Sequence, residues 1–133
     1  MSPTRRYLLA GLFLLLLSLA GCKTGTDNPL VLSEKDAGST INLTKGDTLV
    51  VALDGNMTTG YNWEMLPQDP AVLQQVGAAE VTPDTTALGA GGKIALKFEA
   101  IQAGQAPLKL VYRRSFEKDV APLNTFELNV NVK

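Results

Sequence analysis

Apolar and polar residues alternate with a period of two along most of this chain. Ile41 and Leu43 share one face of Thr40–Leu43, and Leu49, Val51 and Leu53 share one face of Thr48–Leu53. Tyr61, Trp63 and Met65 continue the spacing, as do Ile94, Leu96, Phe98 and Ala100. Leu108, Leu110 and Tyr112 follow, and Phe126, Leu128, Val130 and Val132 close the chain. That period belongs to a strand with one buried and one wet face. Leu30–Leu32, Val72–Val76 and Glu80–Thr82 are shorter candidates, and Pro29 suits an edge strand. Turn chemistry separates the runs: Lys45-Gly46-Asp47, Asp54-Gly55-Asn56, Pro67 with Pro70, Pro83–Gly92, and Gly104 with Pro107. No segment carries a long 3.6-residue period. About seven or eight short strands at even spacing predict an all-β fold, an Ig-like antiparallel β-sandwich. Trp63, the only tryptophan, is expected in the core on a central strand.

The first residues follow a different pattern. Arg5-Arg6 precede an apolar run, Tyr7–Ala20, which is too short to span a bilayer, where about twenty residues are needed. The run ends in Leu19-Ala20-Gly21-Cys22, small residues just before a cysteine, and this resembles a bacterial lipobox. The resemblance implies a signal peptide over 1–21, a lipid on Cys22, a polar tether over 22–28 and a folded domain over 29–133. An ordinary secretory signal and a plain transmembrane anchor are the alternatives. Lys23, where an Asp would favour inner-membrane retention, points to the outer membrane, with the domain on its periplasmic or surface face.

Composition excludes several kinds of chemistry. The chain has 133 residues and no histidine, and its one cysteine is Cys22. Ser/His/Asp and Cys/His nucleophilic catalysis, the common zinc ligand sets and an internal disulfide are therefore all ruled out. No cofactor and no metal are expected, and no catalytic constellation is found. Loss of Arg5 and Arg6 from 12 basic residues leaves ten against 13 acidic, a balance of −3. With no basic block, nucleic acid is excluded as a partner. The domain is read as a monomer.

Three stretches stand out by composition: Asp54–Gly60, Pro83–Gly92 and the segment beginning at Arg113. On the strand reading they form the B–C, D–E and F–G loops, which can gather at one end of an Ig-like sandwich. The first holds Asn56-Met57-Thr58-Thr59-Gly60-Tyr61, a stiff polar tip in which two β-branched residues each present a hydroxyl. The second holds Gly89-Ala90-Gly91-Gly92, and the third Arg114-Ser115-Phe116. Together, in this order, the stretches resemble the chagasin family of cysteine-peptidase inhibitors. That family's motifs are Asn-Pro-Thr-Thr-Gly-Tyr, Gly-X-Gly-Gly and Arg-Pro-Trp. Met57 and Ser115 stand where proline would fix the backbone, and Phe116 stands in place of tryptophan.

The resemblance implies reversible, non-covalent inhibition of papain-like cysteine peptidases, with Thr58-Thr59-Gly60 entering the active-site cleft over its thiolate. It implies that Gly89–Gly92 lies as an extended strip along the cleft and that Arg114 and Phe116 clasp the opposite rim. Asn56, Met57 and Tyr61 complete the predicted contact set, Tyr61 with a loop-supporting role as well. The competing class is a non-inhibitory Ig-like envelope lipoprotein serving adhesion or assembly, since a fold alone does not fix function. Glu117, Lys118 and Asp119 are expected to form a solvated face, and Arg113 a solvated strand end.

Overall fold

A computed structural model describes residues 28–133, so the lipobox run, Cys22 and the tether up to residue 27 lie outside the described residues. The described chain folds into nine strands: β1 Leu30–Leu32, β2 Thr40–Leu43, β3 Thr48–Gly55, β4 Asn62–Met65, β5 Leu73–Gln75, β6 Glu80–Pro83, β7 Gly92–Ala100, β8 Gly104–Arg113 and β9 Asn124–Val132. Two 3-10 turns, Glu34–Asp36 and Met57–Thr59, are the other regular elements. One sheet has the order β1-β3-β7-β5, with β6 also pairing with β7, and the second has the order β2-β9-β8-β4. This is the expected Ig-like sandwich. The strand count exceeds seven or eight because all three of the shorter candidates, β1, β5 and β6, enter the sheets.

Two pairings are parallel, β1 with β3 and β2 with β9, in a sandwich otherwise built from antiparallel ones. Chain direction explains both. The chain runs up β1 in the first sheet, down β2 in the second and up β3 in the first again, so β1 and β3 lie side by side with one sense. The turn at Lys45-Gly46-Asp47 is therefore a crossing between sheets and not a hairpin. Asp47 Oδ2 accepts the Thr44 N–H at 2.7 Å, Gly46 N–H donates to Ala100 O at 2.7 Å, and Lys45 N–H donates to Lys133 O at 3.0 Å. One short turn thus ties the lower ends of both sheets together.

The alternating residues meet between the sheets as expected. Leu49, Val51 and Leu53 of β3 and Ile94, Leu96 and Phe98 of β7 are fully buried against Leu108, Leu110, Leu128 and Val130. Each such side chain contributes about 1.5–3 kcal/mol on burial, which lets the sandwich stand without a disulfide. Trp63 is buried as predicted, but β4 is an edge strand of the second sheet and not a central one. The ring is covered instead by the end of β3, whose Asp54 carbonyl accepts its indole N–H at 3.0 Å. Period-two spacing reports which face a residue occupies, not how many neighbours its strand has.

At the upper end, Gly92 pairs with Gly55 on one side and with Pro83 on the other. A Cβ on Gly92 would overlap the Thr82 carbonyl and come within 2.7 Å of Pro83 Cα, whereas one on Gly91 would meet only Gly55 O at 3.6 Å. Gly92→Ala is therefore expected to destabilise the domain by about 1–3 kcal/mol, through forced separation of β6 from β7. Gly91→Ala should stay within about 0.5 kcal/mol of the unaltered protein, a surface-like change. Urea unfolding of the two variants measures the contrast, and equal midpoints would refute it.

Candidate functional site

The first loop leaves β3 at Gly55 and enters β4 at Asn62, carrying the chain from one sheet to the other. Its centre is a single 3-10 turn, Met57–Thr59, capped by Asn56. The Asn56 Oδ1 accepts from the Thr58 N–H at 3.0 Å and from the Thr58 hydroxyl at 2.6 Å. Gly60 closes the turn at φ 83°, a left-handed conformation that residues with a Cβ rarely adopt. The threonine hydroxyls do not point outward as expected. Thr58 bonds Asn56 Oδ1, and Thr59 Oγ1 donates to the Asn56 carbonyl at 2.7 Å. Short hydroxyl side chains bond nearby backbone readily, and here an asparagine two or three residues back supplies the acceptors. Both residues are nonetheless exposed. Met57 packs, partly buried, against the hydrophobic core.

The second loop joins β6 to β7. Asp84 N–H donates to Gly91 O at 2.9 Å, Ala90 N–H donates to Ala87 O at 3.2 Å, and Gly89 takes φ 75°. Gly89–Gly92 is thus the returning arm of a bent hairpin, with the left-handed backbone confined to Gly89. The left-handed residue turns the chain, and Gly92 already belongs to β7. Leu88, next to the turn, is fully exposed. The second loop is attached to the first, because Asn56 Nδ2 donates to Gly89 O at 2.8 Å.

The third loop follows β8. Arg114 Nε donates to Thr59 O at 3.0 Å, its guanidinium carbon lies 4.6 Å from the Tyr61 ring centroid, and Nη1 pairs with Glu117 Oε1 at 3.2 Å. Glu117 is therefore a partner within the loop and not part of a solvated face. Arg113 is likewise engaged, donating from Nε to Glu64 Oε2 at 2.9 Å. Ser115 cannot stiffen its own backbone as proline would, but its hydroxyl donates to Glu64 Oε1. Phe116 is 74% exposed and its ring edge lies beside Gly60.

All three stretches therefore meet at one end of the sandwich, joined through Asn56 to Gly89 and through Thr59 to Arg114. Tyr61 stacks between Arg114 and Tyr112, with ring centroids of the two tyrosines 5.3 Å apart, which fits its predicted supporting role. Two residues at this end carried no signal in the sequence. Tyr112 reads there as one more alternating strand residue, yet its hydroxyl accepts from Asn56 N–H at 2.7 Å and donates to Asn56 O at 3.2 Å. Glu64 lies 51 positions from Ser115, beyond any local pattern. Among the described residues, no group of His, Cys, Asp or Glu side chains is arranged to hold a metal ion.

A β-sandwich that gathers three linked loops at one pole has the form of a binding module. Residues 42–130 match the sequence profile of the Chagasin family peptidase inhibitor I42, and the chain belongs to that family. It is 34% identical over 105 residues to amoebiasin-1 of Entamoeba histolytica, which spans 77% of this chain and 98% of the relative. The solution structure of amebosin superposes with a TM-score of 0.64 at 32% identity, covering 79% of this chain and 98% of the other. A cysteine protease inhibitor from Entamoeba histolytica superposes equally well, TM-score 0.64, but at 20% identity it bears on fold alone; it covers 78% of this chain and 94% of its own.

The Ser115 hydrogen bond, and next to it Arg113, hold the Glu64 carboxyl below its ordinary value of 4.5, with partial burial opposing them. A lowered folded-state value means that the contribution of the carboxylate is complete above pH 4.5 and is lost as the pH falls through the lowered value. The amide NMR signals of Ser115 and Phe116 in the isolated domain should stay constant from neutral pH to about 4.5 and move below it. Movement centred near neutral pH would contradict this assignment.

Proposed function

We propose that the loop pole is the inhibitory surface, a reversible, non-covalent plug for the active-site cleft of papain-like cysteine peptidases. As a member of a peptidase-inhibitor family the chain is not an enzyme, and inhibition of papain-like cysteine peptidases is its activity. The observation that carries the loop assignment is the pair of side-chain bonds from Asn56 to Gly89 and from Arg114 to Thr59. They lock three stretches that are distant in sequence into one contact face.

The chemistry of occlusion follows from what the face lacks. A papain-like cleft holds a thiolate beside an imidazolium. The Thr58-Thr59-Gly60 tip brings to that thiolate a tight turn whose hydroxyls are already bonded internally, with no scissile bond placed for attack. The enzyme is blocked without turnover. Leu88 on the second loop and Phe116 on the third are exposed apolar side chains on the two loops bonded to the first, suited to the walls of the cleft. Asn56, Met57, Tyr61, Gly89, Ala90, Gly91, Gly92 and Arg114 hold or line the same face. A contact of this kind buries roughly 1,200–2,000 Å² in total, sufficient for tight binding when the loops are rigid beforehand. The envelope-module reading has no observation in its favour once the family is known.

The cellular setting belongs to the same proposal. Lipid on Cys22 anchors the domain to the cell envelope, at the outer membrane, through the tether. Two points support this. The lipobox pattern is complete in the sequence, and the domain is entered at the pole away from the loops. Leu30 pairs with Leu49, six strand positions before Gly55, which is roughly 20 Å of strand. An anchor there leaves the inhibitory end free. Among the described residues no helix is long and apolar enough to cross a membrane.

Titration of papain with the soluble domain from Lys23 onward should give reversible, stoichiometric inhibition. Thr58→Glu with Thr59→Arg should weaken it by at least about 100-fold, the cost of burying unpaired charge in the cleft. Equal inhibition by the double variant would overturn the loop assignment, and no inhibition by the unaltered domain would overturn the function. For the anchor, Cys22→Ala in a diderm bacterial host should move the protein from the membrane fraction to the soluble one. If the membrane fraction keeps it, the lipid assignment fails.

A further inference from the structure

We infer that Glu64 is the positioning residue for the third loop, holding through its two carboxylate oxygens the backbone that the family motif holds with a proline. The inference rests on the inhibitory reading above and deepens it.

Glu64 lies on the edge strand β4, paired in register with Val111, and its side chain is 27% exposed. Its oxygens are divided between two residues at the end of the neighbouring strand β8 and just after it: Oε2 accepts from Arg113 Nε at 2.9 Å and Oε1 from the Ser115 hydroxyl. One carboxylate therefore grips positions 113 and 115, the residues on either side of Arg114. Ser115 and Phe116 form the turn that Glu117 N–H closes onto Arg114 O at 3.0 Å, and at the end of β8, where successive side chains alternate, holding Arg113 toward Glu64 sends Arg114 the other way. That is where Arg114 is found, bonded to Thr59 O at 3.0 Å and stacked 4.6 Å from the Tyr61 ring centroid. Phe116, the exposed ring of the loop, follows directly.

An ordinary surface ion pair between Glu64 and Arg113 would be worth about 0–1 kcal/mol and would say nothing about the loop. The Ser115 bond makes the difference. It joins the carboxylate to the position where the motif has proline, on a loop whose other fixed point is the tip entering the cleft. A proline holds such a segment by removing a backbone rotation. Here an acceptor on the adjacent strand limits the same segment from outside. The result for binding is the same: less conformational freedom is lost when the peptidase is engaged.

The test uses the soluble domain from Lys23 onward and papain, with association and dissociation rates measured separately and thermal midpoints recorded. Glu64→Ala and Ser115→Ala should each speed dissociation by about tenfold while association changes by less than about twofold. Because they break the same bond, the combined variant should dissociate no faster than Glu64→Ala alone. Glu64→Gln keeps an acceptor for Ser115 and should fall between the unaltered protein and Glu64→Ala. Ser115 is exposed, so its variant should melt with the unaltered domain, which separates positioning from stability. If Glu64→Ala does not fold, Ser115→Ala and Glu64→Gln carry the comparison. Unchanged dissociation in Ser115→Ala, or fully additive effects in the combined variant, overturns the inference while leaving the inhibitor reading intact. No inhibition by the unaltered domain removes both.

Discussion

The structure depends on two aromatic side chains of one sheet reaching the end of a strand in the other. Tyr112 on β8 brackets Asn56 with its hydroxyl, accepting the N–H at 2.7 Å and donating to the carbonyl at 3.2 Å. Trp63 on β4 donates its indole N–H to the Asp54 carbonyl at 3.0 Å. Between these two anchored residues lies Gly55, where a Cβ would overlap the Ile94 side chain and come within 3.2 Å of the Tyr112 ring. The missing side chain leaves room for Ile94 and Tyr112 against the strand end. The rings also contact each other, with centroids 5.2 Å apart. In a sandwich with no disulfide, the upper ends of the two sheets are joined here by polar bonds as well as by packing.

Asn56 passes that anchorage to the loops. Its four polar groups are all engaged: the N–H and carbonyl with Tyr112, the carbonyl also with Thr59, the side-chain oxygen with Thr58 and the side-chain amide with Gly89. Aspartate could cap the turn but could not donate to Gly89. Alanine could do neither. Arg114 then ties the third loop to the Thr59 carbonyl of the same turn. The order is hierarchical: the rings hold Asn56, Asn56 and its turn hold the other loops, and target binding meets a surface whose ordering entropy is already lost. Met57 fits this scheme. Where the motif stiffens the first turn with proline, this chain packs a flexible apolar side chain into the core from the same position.

Much of this was legible in the sequence, and the remainder was not for specific reasons. Alternation located the long strands and their buried faces, because burial on one side imposes a period that local residues record. It could not reveal that β1 lies parallel to β3, since partner choice depends on which sheet β2 joins. Nor could it place Trp63 on an edge, because the carbonyl that covers it comes from another strand. The three motifs put the loops at one end, and turn residues marked their positions. The orientation of the threonine hydroxyls and the grip of Glu64 on Ser115 both needed coordinates. The first depends on one turn's dihedral angles and the second on cross-strand register.

This division has a consequence for how such a protein reads its target. Side chains that make the loops rigid are already committed: Asn56, both threonine hydroxyls, Tyr61, Arg114 and the carboxylate of Glu64 all have internal partners. A group held in this way offers shape but little freedom to adapt its hydrogen bonding. The large exposed apolar groups are Leu88 and Phe116 at the loop pole, with Val120 and Leu123 further along the third loop. They are apolar, and the loop motifs specify only one of them, Phe116, which stands where the family has tryptophan. Specificity in a contact of two rigid bodies comes from the groups that fill pockets, and framework residues keep those groups in place. The residues that place this chain in its family are thus largely those that build the plug, and discrimination among peptidases falls to exposed apolar side chains, Leu88 outside the motifs and Phe116 at a motif position this chain has changed.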